Sequence, residues 1–346
     1  MRLLITTQTL DKDDPYLGFF HDWVAAFAAR FEAIEVICLR EGTHALPANV
    51  RIHSLGKERG RRPRVVVAYR FLTTLRSLRG RYDAVYVHMN PEYFMLAGLA
   101  WRRARIPTAL WYNHEQGGFM LAAAARLTTI VLHTSPYAAS ARFPNARRMP
   151  VGIDTKLFGW SDAPRGAGSL YFQGRVAPKK RVHVLLEALA QLRARGERTS
   201  LSIVGPEDPA YGAQLRARFS ALLQQGVARF LGPMPLSETP EHFAAAEIAV
   251  NLTAAGNFDK TGLEALCCGT LLVASSPAYA PFIPEECRFV EGDAGSLART
   301  LHAVLGWDAE ARRTVARAAR DLIEREHSLG ALADALKKAY DTLVGL

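Results

Sequence analysis

Short apolar runs recur along this chain, and the stretches between them keep a different rhythm. RLLITT (2–7), AIEVICL (33–39), AVYVHM (84–89), TALWYN (108–113), TIVLHT (129–134), SLYFQG (169–174), LSIVG (201–205), ARFLG (228–232), EIAVNL (247–252), LLVAS (271–275) and RFVEG (288–292) read as strands. Between them apolar residues return every three or four positions. Phe19–Phe31 and Val182–Arg195 are predicted helices, the second with Val182, Leu185, Leu186, Leu189 and Leu192 on one face. Buried strands alternating with helices predict parallel sheets covered on both sides. Eleven strands are many for one such sheet. The pattern therefore predicts an α/β protein of two Rossmann-like, doubly wound domains.

The segment NARRMPVGIDTKLFGWSDAPRGAGS (145–169) ends rich in Gly, Pro and Ser and without periodicity. It places a boundary that divides 1–150 from 151–327. Beyond Trp307 the pattern predicts two helices broken near Ser328, a good N-cap.

Composition narrows the class. The chain has 346 residues, 49% apolar and 22% charged, as in ordinary globular proteins. No apolar run approaches the ~20 residues of a membrane-spanning helix. MRLLITTQTL reads as a first strand, not a signal peptide. The four cysteines lack CxxC spacing, which predicts buried free thiols in the cytoplasm and neither a zinc nor a redox motif. The net charge of +10 is uneven: residues 1–150 hold 21 Lys/Arg against 11 Asp/Glu. Such a half should meet an anion, whether a phosphorylated substrate, nucleic acid or a lipid surface.

The loop after the first strand, TQTLDKDDPYLGFFHDW, offers only Gly18 and no GxGxxG, which weakens a dehydrogenase reading. Two other stretches carry more chemistry. In YFQGRVAPKKRV a strand ends at Gly174, and Arg175, Lys179, Lys180 and Arg181 precede a helix. Ligands of open α/β sheets bind at carboxyl ends of strands, so Arg175 and Lys180 stand where a diphosphate would lie. In GNFDKTGLEALCCG, Asp259 is a candidate N-cap and Gly269 a candidate helix stop. The free amides of Lys260, Thr261 and Gly262 would then form a second anion cradle. Glu264 falls one turn in, where a carboxylate can accept bonds from both hydroxyls of a ribose. The plainer alternative is a buried helix with one solvent-facing acid.

GRVAPKK together with LEALCCGTLLVAS resembles the donor-site signature of retaining GT-B glycosyltransferases of family 4. MPVGIDTKLF resembles that family's interdomain segment, and FLGPMPLSETPEHFAAAEIAVNLT its nucleotide-base region. The resemblance implies a glycosyltransferase that uses a nucleotide-diphosphate sugar, retains the anomeric configuration and needs neither metal nor cofactor. It implies a C-terminal donor domain, an N-terminal acceptor domain, and a last helix (328–346) returning to the first domain. Carried over by motif, Arg175 and Lys180 bind the diphosphate and Glu264 the ribose. Gly174, Gly256, Asp259, Lys260, Thr261 and Gly262 complete the donor site. Gly205, Met234 and Leu236 fall in the base region, Gly18 approaches the donor phosphates, and His114 matches an active-site histidine. His88 and His133 end neighbouring strands and are rivals to it. One departure stands out: the family keeps a glutamate eight residues before Glu264, and this chain has Gly256. Either Asp259 supplies the missing carboxylate or the site works without one.

Val65, Val66, Tyr69, Leu72 and Leu75 repeat at helical spacing amid Arg59, Arg61, Arg62, Arg64, Arg70 and Arg76. A basic amphipathic helix can lie on an anionic membrane, and a lipid-linked or cell-envelope acceptor would place the protein on the inner face of the cell membrane. An ordinary surface helix is the alternative. Nucleic acid is not an expected partner. Two other functions fit the same architecture: a non-hydrolysing nucleotide-sugar epimerase, and a non-catalytic basic binding protein.

Overall fold

The computed structural model describes residues 1–254 and 258–345. The chain divides into two compact units, Met1–Gly152 with Ser328–Leu346, and Ile153–His327. Each is built on one parallel sheet.

The first unit contains β1 (Arg2–Leu10), α1 (Gly18–Ala28), β2 (Ala33–Glu41), β3 (Val50–Ser54), α2 (Arg64–Ser77), β4 (Ala84–His88), α3 (Glu92–Arg103), β5 (Thr108–Trp111), α4 (Phe119–Leu127), β6 (Ile130–His133) and β7 (Ala146–Arg148). The sheet order is β3-β2-β1-β4-β5-β6-β7. Successive strand residues serve opposite faces. Leu3, Ile5, Tyr86 and Trp111 pack with Phe20, Trp23 and Phe27 of α1. Leu4, Val85, Val87 and Leu110 pack with Phe71, Phe94, Trp101 and Leu121 on the other side. Two-sided burial is why these strands read as continuous apolar runs.

The second unit contains β8 (Ser169–Gln173), α5 (Val182–Ala194), β9 (Ser200–Val204), α6 (Pro209–Arg218), α7 (Ser220–Gln224), β10 (Ala228–Gly232), α8 (Thr239–Ala245), β11 (Ile248–Asn251), α9 (Lys260–Cys267), β12 (Leu271–Ala274), α10 (Ala294–Leu305) and α11 (Ala309–Glu326). Its order is β10-β9-β8-β11-β12. A last helix, α12 (Leu329–Val344), starts with Ser328 Oγ accepting from Ala331 N at 3.2 Å. It belongs to the first unit, where Leu332, Leu336 and Tyr340 join the α1 core and the Tyr340 hydroxyl donates to Val85 O at 2.7 Å.

Three strand expectations need correction. RFVEG forms no strand; a single bridge joins Arg288 to Ala274. The segment instead caps α10: Val290 N donates to Ser296 Oγ at 3.0 Å, and Asp293 Oδ1 accepts from Ser296 N at 3.0 Å. The short strands β3 and β7, both at sheet edges, carry too little apolar pattern to be seen in the sequence. The four cysteines are free and buried.

Candidate functional site

In the second unit the chain order turns around at β8 and β11. From β8 the sheet grows one way through β9 and β10, and from β11 the other way to β12. β8 and β11 are direct neighbours, with Leu170 paired to Ile248 and Tyr171 to Ala249. A crevice opens beyond the carboxyl ends of two strands that diverge in this way. The loops after β8 and β11 carry both polar stretches singled out above.

After β8 come Gly174 and the exposed Arg175, then a 3-10 turn over Pro178–Lys180. Arg181 follows at φ 50°, a left-handed conformation that costs a non-glycine residue on the order of 1–2 kcal/mol. It reverses the chain sharply, so α5 begins at once. Gly174, Gly205 and Gly232 lie side by side at the ends of β8, β9 and β10. Gly174 N donates to Val204 O at 2.9 Å and Gly205 N to Gly232 O at 2.8 Å. A Cβ on Gly205 would sit 2.0 Å from Gly174 O, so this approach excludes any side chain. Met234 and Leu236 follow β10 and are partly buried.

After β11, Asp259 caps α9. Its Oδ1 accepts from Thr261 N at 3.3 Å and Thr261 Oγ1 at 3.2 Å, and its Oδ2 from Thr253 Oγ1 at 3.0 Å. Oδ2 also accepts a short bond from Lys180 Nζ, which donates in addition to Thr253 Oγ1 at 3.0 Å. Burial pushes the Asp259 carboxyl upward, but the Lys180 ammonium and these bonds outweigh it and hold it below the usual carboxylate range. Asp259 therefore spends both oxygens on Lys180 and the helix cap. The anion expected between the basic residues and the helix is, for Lys180, supplied by the protein itself. Gly256 lies outside the described residues, which end at Ala254 and resume at Phe258.

Lys260, Thr261 and Gly262 form the first turn of α9, but the expected cradle of three free amides is not complete, because the Thr261 amide is spent on the Asp259 cap. Gly262 is required by packing: a Cβ there would fall 2.7 Å from the Tyr279 ring. The Tyr279 hydroxyl donates to Asp259 O at 2.5 Å and so ties the cap from below. The other end of α9 is held by two arginines. Arg165 donates to Cys268 O at 3.0 Å and Thr270 Oγ1 at 2.6 Å, and Arg320 to Cys267 O. Cations at the carboxyl end also suit the helix dipole.

Glu264, one turn into α9, is 5% exposed. Among the described residues nothing donates a hydrogen bond to its carboxylate. Burial raises its pKa to about 7, against the pull of Lys260 and with a further push from Asp259. A buried acid without a donor is costly.

The first unit places its candidates at strand ends. Gly18 is the first residue of α1, and its Cβ would lie 2.8 Å from Lys12 O. His114 is exposed, three residues past β5, with its ring 6.0 Å from that of Tyr112. His88 is buried, stacks on Phe20 at 4.0 Å and has Nδ1 3.2 Å from Thr7 Oγ1. His133 is buried with Nδ1 donating to Ser135 O at 2.9 Å, and burial lowers its pKa. His88 and His133 are thus both buried with partners inside the first unit. Thr253, Asn251 and Tyr279 belong to the site in the second unit and were not singled out from sequence. Asn251 Nδ2 donates to Thr261 Oγ1 at 3.2 Å, and a polar residue closing an otherwise apolar strand was the available signal.

Residues 167–306 match the family model described as glycosyl transferases group 1. The match spans both loops of this site. A D-inositol 3-phosphate glycosyltransferase of Geodermatophilus obscurus is 34% identical over 144 residues, 37% of this chain and 32% of that protein. A GDP-mannose-dependent α-(1-6)-phosphatidylinositol monomannoside mannosyltransferase of Mycolicibacterium smegmatis is 29% identical over 243 residues, 60% of this chain and 62% of that protein. The chain thus spans about a third of the first relative's length and under two thirds of the second's. Among solved structures, HepE of Anabaena in complex with UDP superposes with a TM-score of 0.78 at 18% identity, covering 99% of this chain and 100% of that one. The fold, two Rossmann-like parallel-sheet domains, is that of GT-B glycosyltransferases.

Proposed function

We propose that this protein is a retaining glycosyltransferase of family 4, moving a sugar from a nucleotide-diphosphate donor to a hydroxyl of a glycan or lipid-linked acceptor. The observation that carries the reading is Glu264, a buried carboxylate without a donor, one turn inside a helix whose N-terminal cap is held by Lys180. A ribose supplies two hydroxyl donors, which is what Glu264 lacks. The diphosphate would then lie against the exposed Arg175 and the N-terminal end of α9, where cation and helix dipole favour negative charge. The matched family model and the relatives' transferase names support the same reading.

In the reaction, charge develops on the departing diphosphate. Arg175 and the N-terminal end of the α9 dipole would stabilise it by position rather than by proton transfer. Lys180 serves by holding Asp259 and hence the start of α9. Displacement on the donor's front face lets the leaving phosphate oxygen take the acceptor's proton, and retains configuration. With this charge compensation the chemistry needs neither metal nor cofactor. His114 is assigned to a hydroxyl of the transferred sugar, Gly18 to the approach of the donor phosphates, and Gly205, Met234 and Leu236 to the base.

The test is a thermal-shift and calorimetric panel of UDP-, GDP- and ADP-sugars, followed by transfer assays on the binder. Binding of one donor, weakened by Glu264→Gln, is expected. No binding by any nucleotide-sugar, or an epimerised donor in the absence of acceptor, would overturn the proposal.

A further inference from the structure

At the free side of the first unit's sheet, the ends of β2 and β3 meet α2 around a cavity of about 340 Å³. Glu41, Ser54, Gly56, Glu58, Arg59, Arg70, Thr73 and Thr74 line it, every side chain among them polar. Its walls are fixed. Arg70 Nη1 donates to Leu55 O at 2.9 Å, which anchors α2 to the end of β3. Glu58 Oε2 accepts from Ser54 Oγ at 2.7 Å, and Ser54 Oγ in turn accepts from Gly56 N at 3.0 Å. These bonds fix the Glu58 carboxylate and the Arg70 guanidinium in the lining before any ligand arrives.

The charge balance selects the ligand. Two carboxylates repel a phosphate and two guanidiniums repel a metal cation. A neutral molecule with many hydroxyls satisfies both kinds of group: its O–H groups donate to Glu41 and Glu58, and its oxygens accept from Arg59, Arg70 and the threonines. The volume lies at the lower end of the ~300–1,000 Å³ of small-molecule sites, the scale of a sugar ring.

Position gives the cavity a use. Glu41 pairs in register with Leu10, the last residue of β1, and Lys12 N donates to Thr43 O at 2.8 Å. The cavity therefore adjoins the loop that leads from β1 to Gly18. We propose that it is a sugar-binding subsite that holds one unit of an extended glycan acceptor, apart from the unit that reacts. This rests on the glycosyltransferase reading above and narrows the acceptor to one longer than a monosaccharide.

Saturation-transfer NMR on the full chain tests it, with D-glucose, D-mannose and myo-inositol as separate probes. Transfer to the ring protons of at least one is expected. It should weaken at least about tenfold in Glu58→Gln/Arg70→Leu, the scale of one lost charged hydrogen bond. Because Arg70 also anchors α2, Thr73→Val/Thr74→Val provides a second variant that leaves that bond in place, and it too should weaken transfer. No transfer from any probe, transfer unchanged in both variants, or displacement of the sugar by inorganic phosphate would overturn the proposal. Nucleotide-sugar affinity, measured alongside, should be unchanged in both variants. Its absence in the wild-type chain would count against the donor site and not against this subsite.

Discussion

Lys180 and Asp259 join the two loops of the candidate site through one salt bridge, 79 residues apart in sequence. Each is partly buried, and Asp259 is also the cap of α9. Lys180→Met should therefore lower stability by about 1–3 kcal/mol, since it strands a carboxylate that keeps only hydroxyl and amide donors. Denaturant unfolding of Lys180→Met, Asp259→Asn and the double variant checks this. A coupling energy near zero would show that the pair is not a unit.

The same pair predicts an acid dependence. The folded pKa of Asp259 is depressed, so its contribution to stability is present above its unfolded value of about 3.9 and is lost as pH falls through the folded one. Lys180→Met removes the main cause of the depression. Its acid-unfolding midpoint should move to higher pH than that of the wild type, with Asp259→Asn insensitive to the change.

Glu264 behaves in the opposite sense. Its folded pKa is raised to about 7, so stability falls as pH rises from its unfolded value of about 4.3 through 7. Glu264→Gln should abolish that fall and be more stable than wild type at pH 8, by roughly 3–4 kcal/mol. It should also bind the nucleotide-sugar about tenfold or more weakly, because an amide accepts less strongly than a carboxylate. In the wild type, donor affinity should improve as pH rises through 7. Thermal melts and calorimetry across pH 5–8.5 separate the two effects.

Arg175 is exposed, so Arg175→Ala should leave the melting temperature almost unchanged. Turnover should fall on the order of 10²–10³, as for other single donors to developing charge. Equal transfer and donor-hydrolysis rates in variant and wild type would remove Arg175 from the site.

Gly262→Ala drives a methyl group into the Tyr279 ring, 2.7 Å away, and disturbs the hydroxyl bond to Asp259 O. A loss of about 1–3 kcal/mol is expected, measured by urea unfolding. Tyr279→Phe, which keeps the ring and drops the bond, should cost less than that.

The face of α2 offers a further test. Val65 is 74% exposed, Tyr69 69% and Leu72 44%, and only Phe71 is fully buried. We propose that this stripe, with Arg61, Arg64 and Arg76, seats the protein on an anionic membrane; Arg62 is turned onto Gly56 O, and Arg59 and Arg70 line the cavity described above. Co-sedimentation with phosphatidylglycerol vesicles should exceed that with phosphatidylcholine vesicles and collapse in Val65→Glu/Tyr69→Glu. Equal sedimentation with both lipids would sink this idea. Among the described residues no helix is long and apolar enough to cross a membrane.

The fold was readable because two-sided burial leaves a plain imprint. Strands such as Ala84–His88 are apolar throughout, and helices such as Val182–Ala194 keep a 3.6-residue stripe. The edge strands β3 and β7 escaped because one side of each is open and their residues mix Arg with apolar groups. Arg288–Gly292 misled because Phe289 and Val290 look strand-like, whereas Val290 is exposed and its amide serves the α10 cap. At the site, local rules reach as far as the helix start at Asp259. They do not reach Lys180 as its partner, or Tyr279 under Gly262, because both contacts are made by the tertiary fold.

One consequence concerns synthesis. The chain leaves the first unit after Gly152 and re-enters it at Ser328, and Ile153 N donates to His327 O at 2.8 Å where the two crossings meet. Tyr340, Leu336 and Leu332 supply core that β1 and α1 cannot find elsewhere. The first-made unit therefore cannot close until residues 328–346 have been made, by which point the second-made unit is already whole. The order of translation and the order of completion run opposite ways. A fragment ending at Gly152 would carry an open apolar seam rather than a folded domain.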